Sequence, residues 1–146
     1  MTFEPRDPDF AGKIKASFAL QSAMTTLGMT LHDISPGQVE IMLNKHDGIV
    51  QQMGFVHGGV LASGLDSACG YAALSLAPIE CEVMTMELKT SFLAPAGHDR
   101  ILFVGTVIKP GRRAIFTEGS AFGLDGDDRT LLAKMTATMT YIDLPS

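Results

Sequence analysis

The chain has 146 residues, of which 46% are hydrophobic and 18% charged, with a formal net charge of −5 and two cysteines. That composition excludes a disordered segment, and the acidic balance offers no long-range attraction to a nucleic-acid backbone. A single domain of this length buries roughly two thirds of the surface its unfolded chain exposes, and the apolar surplus points to a homo-oligomer.

Residues 1–28 read as an N-terminal tail and helix, and residues 29–146 as the domain proper. "MTFEPRDPDF" lacks the cationic and apolar regions of a secretory signal, so it is expected to be a loose tail on a cytoplasmic protein. "AGKIKASFALQSAMTTLG" spaces Ile14, Phe18, Ala19, Met24 and Leu27 as one helix ending at Gly28. "MTLHDI" and "VEIMLN" flank the turn signal Pro36-Gly37 and predict a hairpin. A long helix is predicted over residues 58–77, stopped by Pro78. A membrane span there is disfavoured, because Asp66 near its centre would cost roughly 2.5–3.5 kcal/mol.

Four strand-like runs follow, "CEVMTMELKTSFL", "RILFVGTVIK", "AIFTEGSAFGL" and "LLAKMTATMTYI", separated by turn-rich stretches that suit antiparallel neighbours. A hairpin, a long helix and a four-strand meander predict an α+β fold, an antiparallel sheet wrapped around a central helix. The helix is rich in glycine, alanine and serine, which would let a curved sheet approach its axis.

The chemistry concentrates in "GFVHGGVLASGLDSACGYAAL". His57-Gly58-Gly59 opens the helix, so the amides of Gly58 and Gly59 are expected among its unpaired donors, facing a negative oxygen with the helix dipole behind them. Asp66 is a carboxylate in a run expected to be buried. It stands eight residues beyond Gly58, about 12 Å along the axis. One carbonyl cannot lie within about 3 Å of both, whereas two helices running past each other in a two-fold dimer would bring Gly58 of one copy toward Asp66 of the other.

This string, with "FLAPA" and "GRR" downstream, resembles the hotdog-fold acyl-CoA thioesterases of the phenylacetate-degradation (PaaI-like) type, over about residues 30–142. The resemblance implies a helix wrapped by an antiparallel sheet, a dimer or pair of dimers, and hydrolysis of an acyl-CoA at a site shared between subunits. It assigns Gly58 the N–H that polarises the thioester carbonyl, His57 a supporting role at that turn, and Asp66 the catalytic carboxylate, as base or as nucleophile. Thr85 falls where relatives place a hydroxyl that holds the attacking water. Gln51 stands where relatives commonly carry an asparagine, which leaves its role open.

CoA brings phosphates that need cations. Lys89, Lys109, Arg112 and Arg113 are the candidates, three of them in "KPGRR", although a solvated hairpin would carry them equally well. Gly59 and Met53 complete the expected substrate-binding set, Met53 because it precedes the His-Gly-Gly turn. No cofactor beyond the CoA of the substrate is expected. The scattered His32, His46, His57 and His98 imply no metal. Ser63 and Ser67 lack a nucleophile elbow, and Cys69 reads as a core thiol.

Two rivals remain. A hydratase or dehydratase of the same fold would use a histidine base, but the His-Phe-Pro turn of the dehydratases is absent. A non-catalytic acyl-CoA-binding protein would have no need of Asp66.

Overall fold

The structure, a computed structural model, describes residues 2–144. Its elements are α1 (Phe10–Leu20), α2 (Ser22–Leu27), β1 (Met29–Ser35), β2 (Gln38–Asn44), a one-turn 3-10 helix (Asp47–Ile49), α3 (Gly58–Leu74), β3 (Cys81–Phe92), β4 (Arg100–Pro110), β5 (Ala114–Asp125) and β6 (Asp128–Asp143). The strands form one antiparallel six-stranded sheet in the order β1-β2-β4-β5-β6-β3 around α3, which is the hotdog architecture.

The Pro36-Gly37 hairpin forms as expected, with Gly37 at φ +81°, a backbone that glycine adopts without strain. The second half of the chain departs from a meander. β3 pairs with β6 at the far edge, and residues 93–99 carry the chain across to β4. That crossing is anchored by Leu93 N–H and Ala94 N–H to Leu132 O, and by Val56 N–H to Ala96 O. The turn residues of "APAGHD" are real, but they serve an arch over the start of α3 and not a hairpin.

The close approach of helix and sheet comes from both partners. A methyl group on Gly105 of β4 would strike the Ala68 carbonyl, and one on Gly119 of β5 would press on Cys69 Sγ and Leu65 Cδ2 at 3.0 Å. Leu65, Ala68, Cys69, Ala72 and Ala73 are completely buried against this surface, alongside Phe103, Ile115 and Met139.

Three expectations are corrected. α3 ends at Leu74, not residue 77, because Ser75 turns its side chain inward: its Oγ donates to Ala72 O at 2.6 Å and accepts the Gly37 N–H at 2.7 Å, tying the helix end to the hairpin. The single N-terminal helix is two, broken at Gln21, whose ψ of 88° is not helical. The tail is not loose: Phe3 packs over Gly37, and Asp7 is buried with its Oδ1 accepting the Asp9 N–H at 2.8 Å.

Candidate active site

His57 is the N-cap of α3, and its Nδ1 accepts the Gly59 N–H at 2.9 Å. This corrects the expectation of two free amides: Gly59 is spent on the cap, and the Gly58 N–H is the one without a protein partner among the described residues. The same cap fixes the His57 ring, exposed at the turn.

Gly58 borders a cavity of about 440 Å³ with Gln51, Met53, Phe55, Phe92 and Leu93. Gln51 spends its side-chain oxygen on its own loop, accepting Met53 N–H at 2.5 Å and Phe55 N–H at 3.3 Å, so only its amide nitrogen is available to a ligand. Met53 is 67% exposed, Phe92 54% and Leu93 56%, an apolar rim without a cover from this chain. Phe92 and Leu93 had a signal in "FLAPA", but nothing in sequence indicated that they would face Gly58.

Asp66 is half-buried, not buried, because the sheet covers only one side of α3 and β3 is an edge strand. Residues 59, 63, 66 and 70, spaced for one helical face, lie on the open side. Thr85 Oγ1 donates to Asp66 Oδ1 at 2.6 Å, the short length of a bond to a charged acceptor. A bulge between Thr85 and Glu87 adjusts the register there. With Thr85 on one carboxylate oxygen, the other is open to water.

Asp66 and Thr85 border a second, separate depression of about 170 Å³, shared with Gly70, Tyr71 and Glu82. One chain therefore presents Gly58 in one hollow and Asp66 in another. Of the cations, Lys89 pairs with Thr136 while Leu88 pairs with the buried Ala137, which puts Lys89 on the sheet face turned away from α3. Lys109, Arg112 and Arg113 sit at the β4–β5 turn, at the end of the sheet where Ile115, Met139 and Thr85 align across three strands. The basic turn thus shares a level with Asp66 and lies at the opposite end from Gly58.

Cys69 is fully buried, and burial pushes its thiol up to about 12, so no thiolate nucleophile is present at neutral pH. Both cysteines are free. Among the described residues no cluster of histidine, cysteine and carboxylate side chains could hold a metal, and no helix is long and apolar enough to cross a membrane.

A sequence profile of the thioesterase superfamily matches residues 53–129, from the loop before His57 to the start of β6. A candidate esterase of Saccharolobus solfataricus is 30% identical over 112 residues, 77% of this chain and 72% of that protein. One from Halobacterium salinarum is 31% identical over 98 residues, 64% of this chain, and the match spans 65% of its length. Among solved structures, a thioesterase family protein from Silicibacter pomeroyi superimposes with a TM-score of 0.89 at 40% identity, covering 92% of this chain and 98% of that one. The E. coli PaaI protein superimposes at 0.82 with 16% identity, covering 91% and 93%, a likeness of fold.

Proposed function

The chain belongs to the thioesterase superfamily, and from that premise we propose that it hydrolyses an acyl-CoA thioester at a site built from two copies of itself. The observation that carries this reading is the separation of Gly58 and Asp66 into two hollows, each holding half of what thioester hydrolysis needs.

In this reading the Gly58 N–H, at the positive end of α3, stabilises the oxyanion that forms when water adds to the thioester carbonyl. Asp66 of the other copy takes the proton from that water, while Thr85 holds its remaining oxygen in place. The tetrahedral adduct collapses by breaking the C–S bond, the CoA sulfur leaves, and the free acid remains. Gln51, through its amide nitrogen, and the exposed Met53 border the acyl-thioester approach to Gly58. Lys109, Arg112 and Arg113 supply charge for the CoA phosphates.

The edge of the sheet supports the dimer. β3 has no neighbour on its outer side, and it displays Met84, Met86, Leu88 and Phe92, all 40–64% exposed. An open apolar edge of this length is an aggregation hazard unless a partner covers it. Two free, buried cysteines suit a cytoplasmic setting.

The test is complementation between two inactive variants. Asp66→Asn is expected to lower kcat about 10²–10⁴-fold. Gly58→Val, whose side chain meets Phe92, blocks the approach to the amide. Hybrids purified by two different affinity tags recover about half the wild-type rate per dimer, because a two-fold dimer rebuilds one of its two sites. Hybrids as inactive as their parents would sink the shared site, and an Asp66→Asn enzyme at full rate would remove the catalytic carboxylate.

A further inference from the structure

The hollow beside Asp66 has a far wall made by the N-terminal helices, outside the stretch matched by the family profile. Tyr71, buried on α3, donates its OH to Gln21 Oε1 at 3.0 Å. Ser17 Oγ lies 3.2 Å from the same phenolic oxygen; with the Tyr71 proton given to Gln21, Ser17 is the donor. The Phe18 ring leans on Tyr71 at a centroid distance of 5.8 Å. Gln21 reaches this position because the helix breaks there, and its amide nitrogen is left as a donor beside the hollow. Glu82 of β3 borders the hollow at the open sheet edge, near enough for its negative charge to act on the Tyr71 hydroxyl.

The floor is Gly70. A methyl group built on it meets nothing within 4 Å, so no neighbour demands a glycine there. Elsewhere in the helix interior a glycine costs about 1 kcal/mol against alanine, so an unpacked one holds space for something outside the fold. Gly70 stands one helical turn, about 6 Å, past Asp66. The hollow is well below the roughly 300–1,000 Å³ of a pocket for a whole drug-sized ligand, so it suits the tip of a molecule. No lysine or arginine borders it, and two carboxylates do, which disfavours a phosphate and any anionic group.

We propose that this hollow seats the far end of the acyl group, that Gly70 sets its depth, and that the preferred acyl group is short, uncharged and ends in a hydroxyl read by Gln21 and Glu82. The inference rests on the thioesterase reading above. A hydroxyl both donates and accepts, matching the Gln21 amide nitrogen on one side and the Glu82 carboxylate on the other. A plain alkyl tip would leave both groups unpaired, and a carboxylate tip would face Glu82 and Asp66 together.

Three CoA thioesters with four-carbon acyl groups separate these cases: butanoyl, 4-hydroxybutanoyl and succinyl, each corrected for the thiol released without enzyme, because the 4-hydroxyl and the distal carboxylate can expel CoA by ring closure. Thiol release by the full chain is expected to favour the hydroxylated member over butanoyl by about tenfold or more in kcat/KM, with succinyl the poorest. Gln21→Leu brings the first ratio to within about threefold, and Glu82→Gln narrows the gap to succinyl. Gly70→Leu lowers the ratio of butanoyl to acetyl by about tenfold, with Gly70→Ala as the gentler step if leucine impairs folding.

Equal turnover of the hydroxylated and plain members, or ratios unmoved in Gln21→Leu and Gly70→Leu, overturns the proposal. So does release from long-chain or aromatic thioesters with none from these three, which leaves the thioesterase standing. No thiol release from any acyl-CoA overturns the parent reading and this one with it.

Discussion

Gly64 and Gly70 lie six residues apart on one helix, yet a methyl group on the first would run into the Phe103 ring and one on the second would meet nothing within 4 Å. Gly64 belongs to the side of α3 that the sheet grips, with Leu65, Ala68 and Cys69 buried around it. Gly70 belongs to the open side, in line with Asp66. Small residues on the gripped side let two backbones approach. On the open side they keep a volume empty, and only a view of which face the sheet takes tells the two apart.

The largest effect expected from the gripped side is electrostatic. Burial raises the Cys69 thiol from about 9 to about 12, opposed in part by the neighbouring Thr117 hydroxyl. The folded state therefore holds this proton more tightly than the unfolded one. Its stabilising contribution is complete below pH 9 and is lost progressively as the pH rises through 9 toward 12, reaching about 4 kcal/mol. Chemical denaturation between pH 8 and 11.5 should show wild type losing more stability than Cys69→Ala; parallel losses would mean the thiol is not held in a dry core.

Next in size is packing. Gly64→Ala must push the Phe103 ring out of a filled core, at a cost of about 1–3 kcal/mol. Denaturation midpoints measure it. A neutral result would erase the distinction between the two sides of the helix, because Gly64 would then be as free as Gly70.

Much of this arrangement is legible in residues alone. Pro36-Gly37 marks the hairpin, His57-Gly58-Gly59 marks the start of α3, and eight residues of helix suffice to separate Gly58 from Asp66. Strand existence follows from local patterns, but strand partners do not. β3 sits against β6 because residues 93–99 cross the helix start, a path that no local signal distinguishes from a hairpin loop. The half-exposure of Asp66 follows from that same edge position. Gln21, Tyr71 and Glu82 converge from three parts of the chain, and the separation of 50 positions between Gln21 and Tyr71 hides their contact. The break at Gln21 was invisible because the apolar spacing on both sides of it is helical.

The smallest expected effect is the most discriminating. At Gly70 alanine adds no clash and removes backbone freedom from the unfolded chain, so Gly70→Ala should stabilise the protein by about 0.5–1 kcal/mol. For a chain of this size that raises the thermal midpoint by about 2–4 °C per kcal/mol. The same methyl intrudes on the hollow beside Asp66, so kcat/KM for four-carbon acyl groups should fall while the midpoint rises. Opposite signs in one variant separate a glycine that serves a ligand from one that serves the fold: Gly64→Ala should lose stability, and only Gly70→Ala should gain it. A fall in the Gly70→Ala midpoint would mean that this glycine, too, belongs to the packing of the fold.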